Sequence, residues 1–108
     1  MRESYIERHL VKRVKELGGE VRKVVWVGRR DAPDRLVMLP KMPFFSDAPI
    51  VYHYPRMFWV ELKNPKTIQT FPANAHERAQ AREHERMRRL GQRVEVVGTI
   101  EQIEDLLR

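Results

Sequence analysis

The six residues Phe58-Trp59-Val60-Glu61-Leu62-Lys63 constrain this chain more than any other stretch. An apolar run rich in aromatic and β-branched residues reads as a strand. Side chains alternate faces along a strand, so Phe58, Val60 and Leu62 point one way while Glu61 and Lys63 point the other. A strand this apolar is expected to be buried, where ionised groups are costly unless paired, metal-bound or used in chemistry. Upstream, Pro33 holds the chain extended before Asp34, which opens a second candidate strand over 34–39 and stands at its end beside Glu61. Two carboxylates and a lysine converging on one sheet edge have the makeup of a divalent-metal site with a cationic helper.

Length and composition narrow the field. The chain has 108 residues, enough for one core and too few for two, so 1–108 is expected to be a single domain. The absence of cysteine removes disulfide scaffolds, thiolate zinc sites and cysteine nucleophiles together. No run of about eighteen apolar residues occurs, and Met1-Arg2-Glu3-Ser4 opens no hydrophobic signal segment, so a soluble cytoplasmic protein with no membrane partner is expected. Against 15 acidic residues stand 21 Lys and Arg, a net charge of +6 that attracts polyanions and favours nucleic acid among partners. Hydrophobic runs recur throughout, which marks a folded domain with a charged exterior.

Along the chain, Ile6, Leu10, Val14 and Leu17 recur at helical spacing over 3–17, and Gly18-Gly19 supplies the stop. Helical geometry sets Glu3 near the centre of this apolar stripe, with Glu7 on its flank. The alternative for Glu3 is a first-turn acid that complements the helix dipole. A strand is expected over 20–27, a turn over 28–33, and then the strand opened by Asp34. The proline-rich stretch 40–49 reads as an extended excursion, with Ile50-Val51-Tyr52 a candidate edge strand. Met42, Phe44 and Phe45 are too apolar for an idle loop and are expected to fold onto the core or against a second subunit. After the Glu61 strand, residues 64–74 form a polar loop, and a long helix follows over 73–90. Its inner stripe is thin: Ala79, Met87 and Leu90, with Gln80 and His84 on the Met87 side. The arginines and glutamates around it, Glu77 among them, read as a solvated face. His76 and His84 read as surface or boundary residues, and the four histidines form no ligand set. Trp26, Trp59 and Tyr54 are candidates for stacking on unpaired bases, although core packing or a dimer contact is the preferred reading. A last strand over 93–97 precedes a short helix with a Thr99-Ile100-Glu101-Gln102 capping box, buried through Ile103, Leu106 and Leu107. The order is α-β-β-β-α-β-α: an antiparallel meander joined by a right-handed crossover to a parallel fourth strand, a mixed α/β sheet.

These residues resemble the VRR-NUC family, a branch of the PD-(D/E)XK nucleases. The resemblance rests on Glu3, on Gly28-Arg29-Arg30 leading into Pro33-Asp34-Arg35-Leu36-Val37, on Val60-Glu61-Leu62-Lys63, and on Gln80-Ala81-Arg82-Glu83-His84-Glu85-Arg86 with Leu90-Gly91 and Arg93-Val94-Glu95-Val96. It implies a restriction-endonuclease-like core. It implies Asp34 and Glu61 as ligands of Mg²⁺ or Mn²⁺ with the Leu62 carbonyl, Glu3 reaching the metal through water, Lys63 as the catalytic lysine and Gln80 as a helix residue pointing into the site. Arg29, Arg30, Arg35, Lys66 and Arg82 are the expected DNA contacts. The implied activity is endonucleolytic cleavage of DNA in replication, recombination or repair. Small stand-alone members are similar to Holliday-junction resolvases and tend to be homodimers, which suits two cuts on a two-fold branched substrate.

Three departures bear on this. Asp31 stands where the family pattern has glycine, as a residue tolerating positive φ or as an added acid near the metal. The segments 40–57 and 64–79, which flank the site, are longer than expected. A DNA-binding accessory protein without catalysis, or a nuclease acting on flaps or plain duplex, therefore stays open beside junction cleavage.

Overall fold

The computed structural model describes residues 1–40 and 56–108. Helix α1 (Glu3–Glu16) leads into β1 (Glu20–Lys23), β2 (Arg35–Leu39) and β3 (Arg56–Leu62). A 3₁₀ turn (Ile68–Thr70), α2 (Ala75–Arg89), β4 (Val94–Val97) and α3 (Ile100–Leu106) complete the chain. The sheet order is β1-β2-β3-β4, with the first two pairings antiparallel and the last parallel, so the architecture is the mixed α/β sheet expected. Among the described residues no helix is long and apolar enough to cross a membrane. The excursion with Met42, Phe44 and Phe45, the Ile50-Val51-Tyr52 strand and Tyr54 lie outside the described residues.

Side-chain alternation along β3 sorts the molecule into layers. Phe58, Val60 and Leu62 are buried together with Ile6, Leu10 and Val14 of α1 and with Ile103 and Leu107 next to or within α3, so α1 and α3 share one face of the sheet. Helix α2 takes the opposite face, where His84 meets Glu61 and Arg88 donates to the Val94 carbonyl. The helix stops are as the sequence suggests. Gly18 and Gly91 adopt positive φ after α1 and α2, and the Thr99 side chain accepts the Gln102 N–H at the start of α3.

Strand β1 is four residues long and not eight, a correction with a simple cause. The Val24 N–H donates to the Asp34 carbonyl, and beyond that point β2 offers no further partner. Val25 and Val27 are accordingly exposed despite their β-branched side chains. The chain returns through a turn at Gly28, and Trp26 anchors it by donating from Nε1 to the Pro33 carbonyl at 2.8 Å.

The loop after β3 is fixed just as closely. Asn64 Oδ1 accepts the backbone N–H groups of Lys66 and Thr67. Gly98 then lets β4 pass, since a β-carbon there would stand 2.5 Å from Ile68 Cβ and 2.7 Å from the Asn64 carbonyl oxygen. The Lys63 N–H donates to the Val97 carbonyl at 2.8 Å, which holds the residue following Glu61-Leu62 to the end of β4.

Candidate active site

The register brings the two upstream candidates together. Arg35 pairs with Val60, so Asp34, one residue before, lies at the level of Glu61, one residue after. Asp31, three residues earlier, adopts a left-handed φ of 67°, which an aspartate tolerates better than most residues. Its carboxylate lies 3.4 Å from Nδ1 of the exposed His76 on α2.

Lys63, two residues beyond Glu61 and therefore on the same face, enters a nest made by α2 and the loop before it. Its ammonium donates to Gln80 Oε1 at 2.8 Å, lies 3.3 Å from Glu77 Oε2 and sits 5.1 Å from the centroid of the Phe71 ring. An amide oxygen, a carboxylate and a ring face all suit a cation. Glu77 is itself locked by the helix start. Asn74 caps α2 by accepting the Glu77 N–H, and Glu77 Oε1 reaches back to accept the Ala73 N–H at 2.8 Å. That backbone hydrogen bond first, and Lys63 after it, hold the Glu77 carboxyl below the usual carboxylate range.

Glu61 is positioned from the same helix. His84 Nε2 stands 3.1 Å from Glu61 Oε1, and the imidazole is buried, stacked on Phe71 at 6.0 Å between ring centroids. With Glu61 ionised, that contact requires the proton on Nε2. His84 is not the surface or boundary residue expected.

Glu3 completes the acidic group from the first turn of α1. Its carboxyl is raised above the ordinary range, chiefly by partial loss of water and then by the charges of Glu61 and Asp34, with Lys63 and Arg35 opposing. Glu3 therefore senses Lys63, Glu61, Arg35 and Asp34. Arg35 ties α1 to the sheet: Nη2 lies 3.0 Å from Glu7 Oε1, and Nη1 lies 2.8 Å from Asp34 Oδ1. Nη1 is buried without an aligned hydrogen bond, so the Asp34 contact is one of charge and leaves the carboxylate unclamped.

Two of the five expected DNA contacts are committed elsewhere. Arg35 is largely buried against Glu7 and Asp34. Arg29 makes two bonds of 2.7 Å to Glu83 and holds that carboxyl below its ordinary range. Arg30, Lys66 and Arg82 are exposed.

Among the described residues no three acidic or histidine side chains are gathered tightly enough to cage a metal by themselves. The donor set nevertheless suits a hard hydrated cation, which takes one or two carboxylates and keeps waters for substrate oxygens. Asp34 and Glu61 supply those two, next to a third carboxyl whose proton affinity both of them raise.

No family model matches the sequence. The protein named "Putative nuclease p44" from Acyrthosiphon pisum secondary endosymbiont phage 1 is 37% identical over 97 residues, which span 90% of this chain and 83% of that protein. A solved structure described as a VRR_NUC domain matches 97% of this chain and 92% of its own, with a TM-score of 0.69 and 32% identity. The chain belongs to the VRR-NUC family. Its mixed sheet is the restriction-endonuclease-like core of that family.

Two buried residues of this VRR-NUC domain were not legible as site residues, Glu77 and His84. A signal exists all the same. Glu77, Gln80, His84 and Met87 are spaced three, four and three residues apart, a helical stripe written in polar residues. It is polar because the strand end beneath it presents Glu61 and Lys63.

Ion pairs in the cluster and outside it set an acid response. Glu77, Glu83 and Glu104 all have carboxyls lowered from an ordinary 4.5, Glu104 chiefly by Arg13. Each adds stability that is full above its unfolded value and is lost as pH falls through its folded one. Glu3 has the opposite sign, because its raised carboxyl binds a proton more readily in the folded state. Melting followed from about pH 7 to about pH 3 is expected to show stability falling as the Glu77, Glu83 and Glu104 pairs protonate below the ordinary carboxylate range. A flat profile there would mean that these pairs do not form in solution.

Proposed function

We propose that this VRR-NUC domain is a Mg²⁺- or Mn²⁺-dependent endodeoxyribonuclease of the bacterial or phage-infected cytoplasm, selective for branched DNA such as the four-way junction and acting as a homodimer. The observation that carries this reading is the seating of Lys63. A buried ammonium, fixed by Gln80 and Glu77, stands two residues beyond Glu61, just past the end of the strand that pairs with β2, at whose start Asp34 lies. Asp34, Glu61 and the Leu62 carbonyl would hold the ion, with Glu3 reaching it through water. When bound, the ion would polarise the scissile phosphodiester and supply a water of lowered pKa.

The chain's own residues do the rest. Lys63 offers fixed positive charge to the phosphate as its oxygens gain charge, with no reorganisation needed at that moment. Gln80 and Glu77 hold the ammonium in place, and His84 fixes the orientation of Glu61. Arg30, Lys66 and Arg82 are free to meet backbone phosphates.

A second reading keeps the scaffold as a DNA-binding accessory protein without catalysis. It is favoured by the want of a ready three-acid cage among the described residues. Purified protein incubated with labelled four-way junction, flap, duplex and single strand, with Mg²⁺, Mn²⁺ or EDTA, separates the two. Cleavage is expected with either ion, strongest on the junction and absent in EDTA. Binding without cleavage under every condition, with no Mn²⁺ uptake by calorimetry, would leave the accessory reading.

A further inference from the structure

Beside the acidic cluster lies a second feature that catalysis does not use. Trp26 and Trp59 pack at 5.0 Å between ring centroids, tilted by 45°, and together line an open cleft of about 360 Å³. Both rings are fixed. Trp26 Nε1 donates to the Pro33 carbonyl, and Trp59 Nε1 donates to Gln92 Oε1 at 3.1 Å. Neither indole is fully buried, and Leu90 on the cleft wall is 75% exposed, so this pair is not closed core.

Arg29 and Arg86 line the same cleft, with one carboxylate, Glu83, set between them. Arg29 is spent on Glu83, so the positive charge the rim can offer comes from the exposed Arg86; a base with its flanking phosphate uses both that charge and the aromatic face, and an apolar peptide would use only the latter. The cleft is also tied to the cluster by covalent structure. Pro33 precedes Asp34, and Trp59 lies on the same strand face as Glu61, two residues upstream.

We infer that this cleft is a binding site for an unpaired nucleobase of the DNA substrate, taken out of the stack beside the phosphate to be cut. The inference rests on the nuclease reading and deepens it, giving branched or mispaired DNA a reason to be preferred. A base lifted from a matched duplex costs unstacking and unpairing, and an already unpaired base costs least. Tryptophan stacking then adds affinity only where a base is available.

The protein carries a built-in reporter, since Trp26 and Trp59 are its two tryptophans. Emission is followed in EDTA, so that no strand is cut, with a matched duplex and with the same duplex carrying a single-base bulge. Anisotropy of the labelled DNA gives occupancy. Bulged DNA is expected to quench tryptophan emission, while matched duplex at equal occupancy leaves it unchanged. Leu90→Glu, a surface change at the cleft mouth, is expected to weaken bulged DNA about tenfold, the lower end of what one stacked base contributes. Its affinity for matched duplex falls by only the few-fold that one added negative charge costs, so the bulge preference itself shrinks, and retained duplex binding also shows an intact fold.

Equal quenching by both DNAs, no quenching on bound DNA, or an undiminished bulge preference in Leu90→Glu overturns the inference. So does an emission shift that grows with protein concentration without DNA, which would assign the cleft to a second copy of the chain. Equal cutting of bulged and matched DNA with no tryptophan response would remove the base site and leave the nuclease. Quenching by the bulge without cutting under any metal would do the reverse.

Discussion

Lys63→Met is expected to lower DNA cleavage by at least about 100-fold, the scale on which a fixed electrostatic donor contributes to a transition state, while Mn²⁺ uptake at the carboxylates persists. Methionine preserves the length and apolar stem of lysine and removes only the ammonium. The loss should therefore read on the chemical step and not on DNA affinity. Glu77 would keep its Ala73 N–H but lose its cation, and Gln80 would lose its donor, so a clear drop in melting temperature accompanies the loss. Single-turnover cleavage, anisotropy with junction DNA and calorimetry with Mn²⁺ check the three parts. Cleavage within a few-fold of the parent would show that the seat around Lys63 is structural and would take the central support from the proposed activity.

That seat also explains where the sequence was legible and where it was not. Strand β3 could be read because its apolar residues alternate and its buried face is apolar throughout. Helix α1 could be read for the same reason at the helical period. Helix α2 breaks the rule that buried means apolar. Its inner face is Glu77, Gln80, His84 and Met87, and hydropathy assigns all but the last to solvent. Only the partners across the interface, Lys63 and Glu61, make those residues buried, and the chain in one dimension does not show them as neighbours. The same limit shortened β1. Val24-Val25-Trp26-Val27 has strong strand propensity, but pairing requires a partner, and β2 ends that partnership at Asp34. Arg35 shows the converse, a charged side chain with partners inside the molecule. A basic residue next to the Pro-Asp pair was an expected DNA contact, and its side chain joins Glu7 to Asp34.

Arg35 also lets two substitutions of Asp34 be told apart. Asp34→Asn keeps an oxygen facing Arg35 Nη1 and removes the charge that a hard cation needs, so cleavage is expected to fall by two orders of magnitude or more, about 3 kcal/mol in the barrier, with little change in stability. Asp34→Ala should lose activity to the same extent and in addition leave Arg35 Nη1 facing nothing. The aspartate is about half exposed, so its charge contact is screened, and Glu7 still holds the guanidinium. The extra cost in denaturant unfolding is therefore expected to be no more than about 1 kcal/mol. The pair of variants thus separates ligand from scaffold. If Asp34→Asn cut at the parent rate, the carboxylate would have no part in holding the ion. If instead both variants unfolded alike and lost cleavage only in proportion to the folded fraction, Asp34 would serve the fold through Arg35, and the catalytic role would have to pass to Glu61 and Glu3.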